Sequence, residues 1–415
     1  MEEVEISKIV HGGQGLGELK DGRKVFVWNA LPGESVVVRV IKKKRSYAEA
    51  IAEEVMVASQ DRVIPREDNY LATSPWQMMS FAAENRYKAE IVRELFAHED
   101  ISIPAFDTIM HDNREWNYRN KMEYSFWGDE EGLHLALHKR GSHGKQIVQG
   151  SVLASQSLDA GAVAVLAELR KLDIRAGDLK TIIVRSSQND EVVAALYTKV
   201  DDFPTVGLPS EVRGLKIYHS DPRSPASIPT RLLYEIGDQT LEDTILGKRF
   251  TYDVDSFFQV NLPVYEQALS RIREYCLDDP IDMYAGVGSI GLSIAKKQVS
   301  LVELDSATAA MARLNAAASG LDAEVIEAST ERSLAYIDGS RPVIFDPPRA
   351  GLHAKVVDRC IEVQPRQILY LSCNPATQVR DLALLRSLYE VEFFEVYNFF
   401  PRTPHIETLT VLCKK

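Results

Sequence analysis

From about residue 257 to the end, apolar runs of helical and strand spacing alternate with a regularity that few folds accommodate. The periodicity predicts helices over Val264 to Tyr275, Ile290 to Lys297, Ala307 to Ala318 and Ala376 to Leu385. It predicts strands over Pro280 to Ala285, Ser300 to Leu304, Val343 to Phe345, Ile368 to Leu371, Val391 to Tyr397 and Glu407 to Cys413. Elements of this length and order bury both faces of a mostly parallel sheet, so residues 250–415 are expected to form a doubly wound α/β domain. Ligands of such a sheet sit beyond the carboxyl ends of its strands. That rule directs attention to the residues that follow each predicted strand.

At 415 residues the chain exceeds what one hydrophobic core supports. Residues 1–56 read as a small β-barrel, with apolar and polar residues alternating through Val25-Phe26-Val27 and Ser35 to Ile41 between glycine turns. Residues 57–249 read as a mixed α+β domain. It holds a helix around Tyr87 to Phe96, a helix over Ala162 to Leu172, and strands over Asn120 to Trp127, Leu133 to His138, Thr181 to Arg185 and Val192 to Tyr197. No apolar run approaches a membrane span, and the acidic start Met1-Glu2-Glu3-Val4-Glu5 lacks the features of a signal peptide. The four cysteines are widely spaced and unpaired in pattern, so the expectation is a reducing, cytoplasmic setting and no membrane. A net charge of −12 excludes a globally basic nucleic-acid binder but not local binding, because exposed charges are screened within about 8 Å. Two basic clusters remain, Lys42 to Arg45 on the barrel and His138 to Lys145. The first is read as a phosphate-facing edge, and the second, in isolation, as a solvated turn.

The turn Tyr284-Ala285-Gly286-Val287-Gly288-Ser289 follows a predicted strand and opens a helix, and Glu303 ends the next strand. Glycines there let backbone approach a ligand, and a carboxylate at that place accepts from ribose hydroxyls. Together they point to a nucleoside cofactor without choosing between a dinucleotide and S-adenosylmethionine. Asp346-Pro347-Pro348 follows a later strand on a loop that two prolines stiffen. Cys373 follows the next strand and precedes a helix, a setting expected to lower the thiol pKa. Cys276, Cys360 and Cys413 lack that setting and read as core residues. Glu407 starts the last strand as a candidate general base. His405 reads as an ordinary loop histidine. Phe257 and Phe258 read as core aromatics, beside a Gln259 able to donate and accept.

In this order and spacing, the segments Phe257 to Asn261, Asp282 to Leu292, Asp346 to Leu352, Ser372 to Leu382 and His405-Ile406-Glu407 resemble the motifs of the RNA uracil-C5 methyltransferases. Tyr118 to Glu123 resembles a motif of that family's central domain, and residues 1–56 resemble its TRAM domain, an oligonucleotide-binding (OB-like) barrel. The resemblance implies a Rossmann-like methyltransferase domain that uses S-adenosylmethionine. Cys373 would be the nucleophile on uracil C6 and Glu407 the base at C5. Gln259, Tyr284, Gly286, Gly288, Ser289, Glu303 and Asp346 would bind the cofactor. Arg349 and Arg380 would contact phosphate or base. The implied partner is RNA, ribosomal ahead of transfer RNA, with the protein acting as a monomer.

One departure stands out. Many relatives carry a four-cysteine iron–sulfur site after the barrel, whereas residues 65–77 here contain no cysteine, so no iron–sulfur cluster and no other metal is expected. Packing of Trp76, Met78 and Phe81 would take over its structural part. A non-catalytic RNA-binding protein is the alternative of a different class, and the joint presence of Cys373, Glu407 and Asp346 weighs against it.

Overall fold

The structure is a computed structural model that describes residues 1–224 and 226–415. The C-terminal part is a seven-stranded sheet. Its order is Asp322–Glu327, Gln298–Glu303, Ile281–Asp282, Val343–Phe345, Gln367–Ser372, Glu407–Lys414, Tyr389–Tyr397. The first five strands run parallel, and Glu407–Lys414 is antiparallel to both of its neighbours. Side-chain alternation divides the sheet between two cores. Val343, Phe345, Ile368 and Tyr370 face the helices Ala354–Val363 and Pro375–Leu385, while Ile344, Leu369 and Leu371 face Leu262–Tyr275 and Ser289–Ile294. The strand Asp322–Glu327 was not expected, because its sequence DAEVIE offers only a partly buried, charge-rich edge.

Packing redraws the domain limits read from sequence. Helix Phe81–His98, assigned above to the middle segment, contributes Ala83, Tyr87, Ile91, Val92 and Phe96 to the core of the C-terminal sheet. The limit at residue 250 falls inside a hairpin, Thr240–Ile245 with Lys248–Asp253, whose Leu241, Phe250 and Tyr252 pack with Val264, Tyr265 and Leu269. The middle sheet also has seven strands, in the order Arg231–Gly237, Gly214–His219, Val192–Thr198, Leu179–Ser186, Lys121–Asp129, Gly132–His138, Lys145–Ile147. One face packs on helix Gln156–Lys171, and Val193, Ala195 and Tyr197 of the other join the C-terminal core. The middle sheet therefore keeps one core of its own and shares a second with the C-terminal part.

Residues 2–57 form a six-stranded sheet around Val4, Val25, Val27, Val36, Val38, Ala48 and Ala50. It curls on itself, since Gly17 on one side lies against Val4 and Glu5 on the other with no room for a Cβ. The turn 139–144 is not merely solvated. The Arg140 guanidinium stacks on the Trp28 ring 3.9 Å from its centroid and donates to Leu71 O at 2.6 Å, and Gly141 abuts Ile41 and Ile51. This basic turn fixes the barrel to the middle sheet. Lys42, at the other cluster, pairs with Glu49 at 3.1 Å. Among the described residues, no helix is long and apolar enough to cross a membrane.

Candidate active site

Strand direction decides which residues meet. The carboxyl ends of the parallel strands deliver Tyr284, Glu303, Asp346 and Cys373 to one edge of the sheet. The strand Glu407–Lys414 runs the other way, so its first residue reaches that same edge. The ladder aligns Ser372 with Thr408, which sets Cys373 opposite Glu407 one step further on. A cavity of about 610 Å³ opens there, lined by Gln259, Tyr284, Gly286, Glu303, Asp346, Arg349, Cys373, His405 and Glu407 among others.

The turn after Ile281–Asp282 has a split role. Gly286 holds φ +55°, and a Cβ there would meet nothing nearer than Phe257 O at 4.0 Å, so its backbone is open toward the cavity. Its N–H donates to Glu303 Oε2 at 2.9 Å, and Asp305 N donates to Oε1 at 2.8 Å. An ionised carboxylate has about four acceptor sites, so Glu303 keeps capacity for hydroxyl donors. Gly288 and Ser289, in contrast, are not brought to the cavity. Gly288 (φ +87°) is crowded by Leu292 and Leu301, and Ser289 Oγ is hydrogen-bonded to the Tyr265 hydroxyl at 2.8 Å. Their place is in the packing beneath the turn.

Unlike Glu303, the acid at the other end of this edge lacks a donor. Glu407 is 2% exposed, and its Oε1 has no hydrogen-bond partner. Burial, with Asp346 beside it, raises its pKa well above the ordinary value, and Arg349 opposes the shift. Burial and the nearby Asp282 push Asp346 up to about 7. The expectation of a lowered thiol pKa at Cys373 is overturned. Burial, then Glu407 and Asp346, push it up to about 12 against the pull of Arg349. Desolvation and two carboxyls outweigh the helix that begins at Pro375. Without ligands, this end of the edge disfavours charge on thiol and base alike.

The remaining candidates fall into place unevenly. Arg349 lines the cavity, and its Nη2 lies 3.0 Å from His405 Nδ1. His405 is thus a cavity residue, not merely a loop histidine, and burial and Arg349 lower its pKa to about 3, which keeps the ring neutral. Arg380 is occupied elsewhere, donating to Ala350 O at 3.0 Å and pairing with Asp381 at 2.7 Å, so it ties the Asp346 loop to the helix instead of facing a ligand. Phe258 is core, but Phe257 is 62% exposed and, with Leu304 at 69%, gives the cavity an apolar rim. Cys276 and Cys360 are buried, whereas Cys413 is half-buried with its thiol donating to Glu392 at 2.7 Å. Sequence reasoning missed Ser329, Thr330 and Glu331, which line the cavity after the unexpected strand Asp322–Glu327. Their one available signal was their place beyond the carboxyl end of a strand.

A family model described as tRNA (uracil-5-)-methyltransferase matches residues 82–415, and a TRAM domain model matches residues 1–52. The chain belongs to this methyltransferase family. It is 30% identical over 444 residues to an uncharacterized RNA methyltransferase of Lactiplantibacillus plantarum, covering 99% of this chain and 96% of that one. It is 29% identical over 446 residues to one of Enterococcus faecalis, covering 99% and 97%. The fold matches that of the Pyrococcus abyssi tRNA (uracil-54, C5)-methyltransferase in complex with S-adenosyl-L-homocysteine. The TM-score there is 0.76 at 21% identity, covering 99% of this chain and 100% of that one. As a family member, the chain is an S-adenosylmethionine-dependent RNA uracil-C5 methyltransferase. The cavity fits that cofactor, with an open backbone at Gly286, the Glu303 acceptor beside it and an Asp346 carboxylate at the same edge.

Proposed function

We propose that the protein methylates C5 of a uridine in structured RNA through a transient bond between Cys373 Sγ and uracil C6. The observation that supports this most directly is that Cys373, Glu407 and Asp346 line one cavity with Gly286 and Glu303. Uracil C5 is a weak nucleophile, and addition of a thiolate to C6 moves the ring's electrons to C5 as an enolate equivalent. Gln259, Tyr284, Gly286, Glu303 and Asp346 would hold the cofactor, and Ser329 to Glu331 line the same cavity. The cofactor supplies an electrophilic methyl on a positively charged sulfur, a charge that favours the ionised forms of the acids and the thiol around it. After C5 gains the methyl group, Glu407 takes the C5 proton, the C5–C6 double bond reforms and the Cys373 thiolate leaves. The target base must leave its stack to reach a half-buried thiol.

Ribosomal RNA is the first reading of the substrate and transfer RNA the second. The barrel alone does not separate them. The match to the Pyrococcus abyssi chain, described as a transfer-RNA enzyme, spans 99% of this one and so includes the barrel. The test uses purified protein, labelled S-adenosylmethionine and, separately, ribosomal and transfer RNA from cells lacking the gene. Label in 5-methyluridine of one RNA class assigns the substrate. RNA carrying 5-fluorouridine, which offers no C5 proton, should form a denaturation-stable conjugate that maps to Cys373. Methyl transfer without any such conjugate would refute the covalent route.

A further inference from the structure

The segment that leads into Glu407 has no regular structure, yet it is held at nearly every residue. Asn398 Nδ2 donates to Glu84 Oε1 and to Asn85 Oδ1, both at 2.9 Å. The Phe400 carbonyl accepts from Lys88 Nζ at 3.2 Å and the Pro401 carbonyl from the Tyr118 hydroxyl at 2.9 Å. The Arg402 carbonyl accepts from Trp76 N at 3.1 Å, and Arg402 N donates to both Glu84 oxygens at 3.1 and 3.0 Å. Arg402 itself sits at φ +66°, a conformation that non-glycine residues adopt only when their surroundings impose it. Its Nη1 donates to Met79 O at 2.7 Å, and its other nitrogen pairs with Glu115. The centre of this net is the ion pair Glu84–Lys88, 2.9 Å apart with both side chains 0% exposed. Lys88 Nζ also donates to Asn398 Oδ1 at 2.6 Å. The barrel joins through Gly13, whose carbonyl accepts from Trp76 Nε1 at 3.0 Å and whose Cα packs on Pro404 too closely for any side chain.

A buried ion pair is a poor source of stability, since well-packed apolar residues of the same volume often do as well or better. What such a pair does supply is a fixed geometry. Apart from the Trp76–Gly13 bond, the net converges on residues 398–402, and that segment leads Phe400, His405 and Glu407 to the cavity. We infer that the Glu84–Lys88 pair, with Tyr118 and Trp76, is the positioning device for the segment 398–406. In this role it sets Glu407 for removal of the C5 proton. The net lies between the barrel and the catalytic edge, beside the segment 65–77 that the sequence singled out for its missing cysteines. Met78 and Trp76 are fully buried there, and Phe81 packs under Arg402.

This inference rests on the covalent reading above, and the experiment separates the two. The full-length double variant Glu84→Gln with Lys88→Met removes both charges and leaves no buried ion unpaired, while a glutamine oxygen can still accept from Arg402 N. It should unfold within a few degrees of wild type and bind S-adenosylmethionine within twofold. Its turnover should fall at least tenfold, and a protein–RNA conjugate should accumulate, as in Glu407→Gln, because elimination is the step that needs the base in place. Tyr118→Phe removes one hold on the segment and keeps the ring, and should show the same signature at two- to fivefold. Wild-type turnover in both variants, or turnover lost without conjugate while Glu407→Gln does accumulate it, overturns the positioning role. If Glu407→Gln itself yields no conjugate, the covalent reading is what fails. The net is then judged on turnover alone. A tenfold loss at unchanged cofactor affinity in the double variant supports it, and wild-type turnover refutes it.

Discussion

The cavity edge and the supports outside it both bury carboxylates, and they treat them in opposite ways. Glu34, 1% exposed, accepts from Leu31 N at 2.8 Å and Ser59 N at 3.1 Å and pairs with Arg62 at 2.5 Å. Glu84 is as fully enclosed and accepts from Lys88, Asn398 and Arg402. Each has its oxygens saturated, and each ties segments distant in sequence. Glu407 is equally buried but has an oxygen with no donor at all, with Asp346 and the Cys373 thiol beside it. A buried acid left without donors costs free energy in the folded state. The fold therefore leaves an acid unsatisfied at the cavity edge and uses saturated acids elsewhere to fix geometry, the pattern expected where a site must receive charge it does not yet hold.

Substitutions that remove the reacting groups should break this contrast most sharply. Cys373→Ala is expected to lower methyl transfer by roughly three orders of magnitude or more, since loss of a nucleophile abolishes the covalent route. Its unfolding temperature should match wild type or exceed it, because the partly desolvated thiol between two carboxyls is removed. Labelled-methyl assays beside thermal melts check both halves, and near-wild-type transfer would remove Cys373 from the mechanism. Glu407→Gln is next, with turnover lowered by about 10²–10⁴, the usual range for a positioned acid or base. Here the protein–RNA conjugate should build up on denaturing gels at a rate close to that of wild-type adduct formation. A variant that turns over normally would show the unpartnered oxygen to have another role.

Much of this edge was legible in the sequence, for identifiable reasons. Apolar runs such as Ile368 to Leu371 are long enough to mark a fully buried strand, and the residue after each is placed by the strand's direction. Asp346, Cys373 and Glu303 followed from that rule, whereas Glu407, at the start of its strand, was marked as a candidate base and by the resemblance. Gly288 and Ser289 did not reach the cavity, because a glycine serving close packing looks in sequence like one serving a ligand. The sign of the Cys373 shift was also hidden. A helix start is local and visible, but the opposing Glu407 comes from a strand beginning thirty-four residues later and meets it only through the antiparallel ladder. Helix Phe81–His98 was readable as a helix but not as part of the C-terminal core, since its apolar face does not name its partner. The net that holds residues 398–402 is assembled from five separate segments, and no local pattern announces it.

The saturated region predicts the converse behaviour. Arg62→Ala leaves Glu34 buried with backbone donors only. It should destabilise the protein by about 3 kcal/mol, the low end for breaking a buried pair because Arg62 is itself partly exposed. Urea denaturation measures that loss. Methyl transfer per folded molecule should not change, since Arg62 lies outside the cavity. If the variant were as stable as wild type but slow, the distinction between struts and site would fail at this position.

The smallest effect concerns Asp346 and has the sign of an acid whose burial outweighs its partners. Its pKa rises from 3.8 to about 7 in the folded protein, through burial and then Asp282. Between those values the folded state binds more protons than the unfolded state, so stability falls as pH rises through the window and is lowest above it. Asp346→Asn has no proton to lose. At pH 4 the variant and the wild type should melt alike. At pH 8 the variant should be more stable by on the order of 1 kcal/mol, discounted for the partial exposure of the group, or about 2 °C in melting temperature. Saturating S-adenosylmethionine should reverse that ranking, because the variant gives up a carboxylate that faces the cavity. A variant less stable than wild type at pH 8 without ligand would mean that Asp346 is a strut like Glu34, and the contrast between the two regions would no longer hold for it.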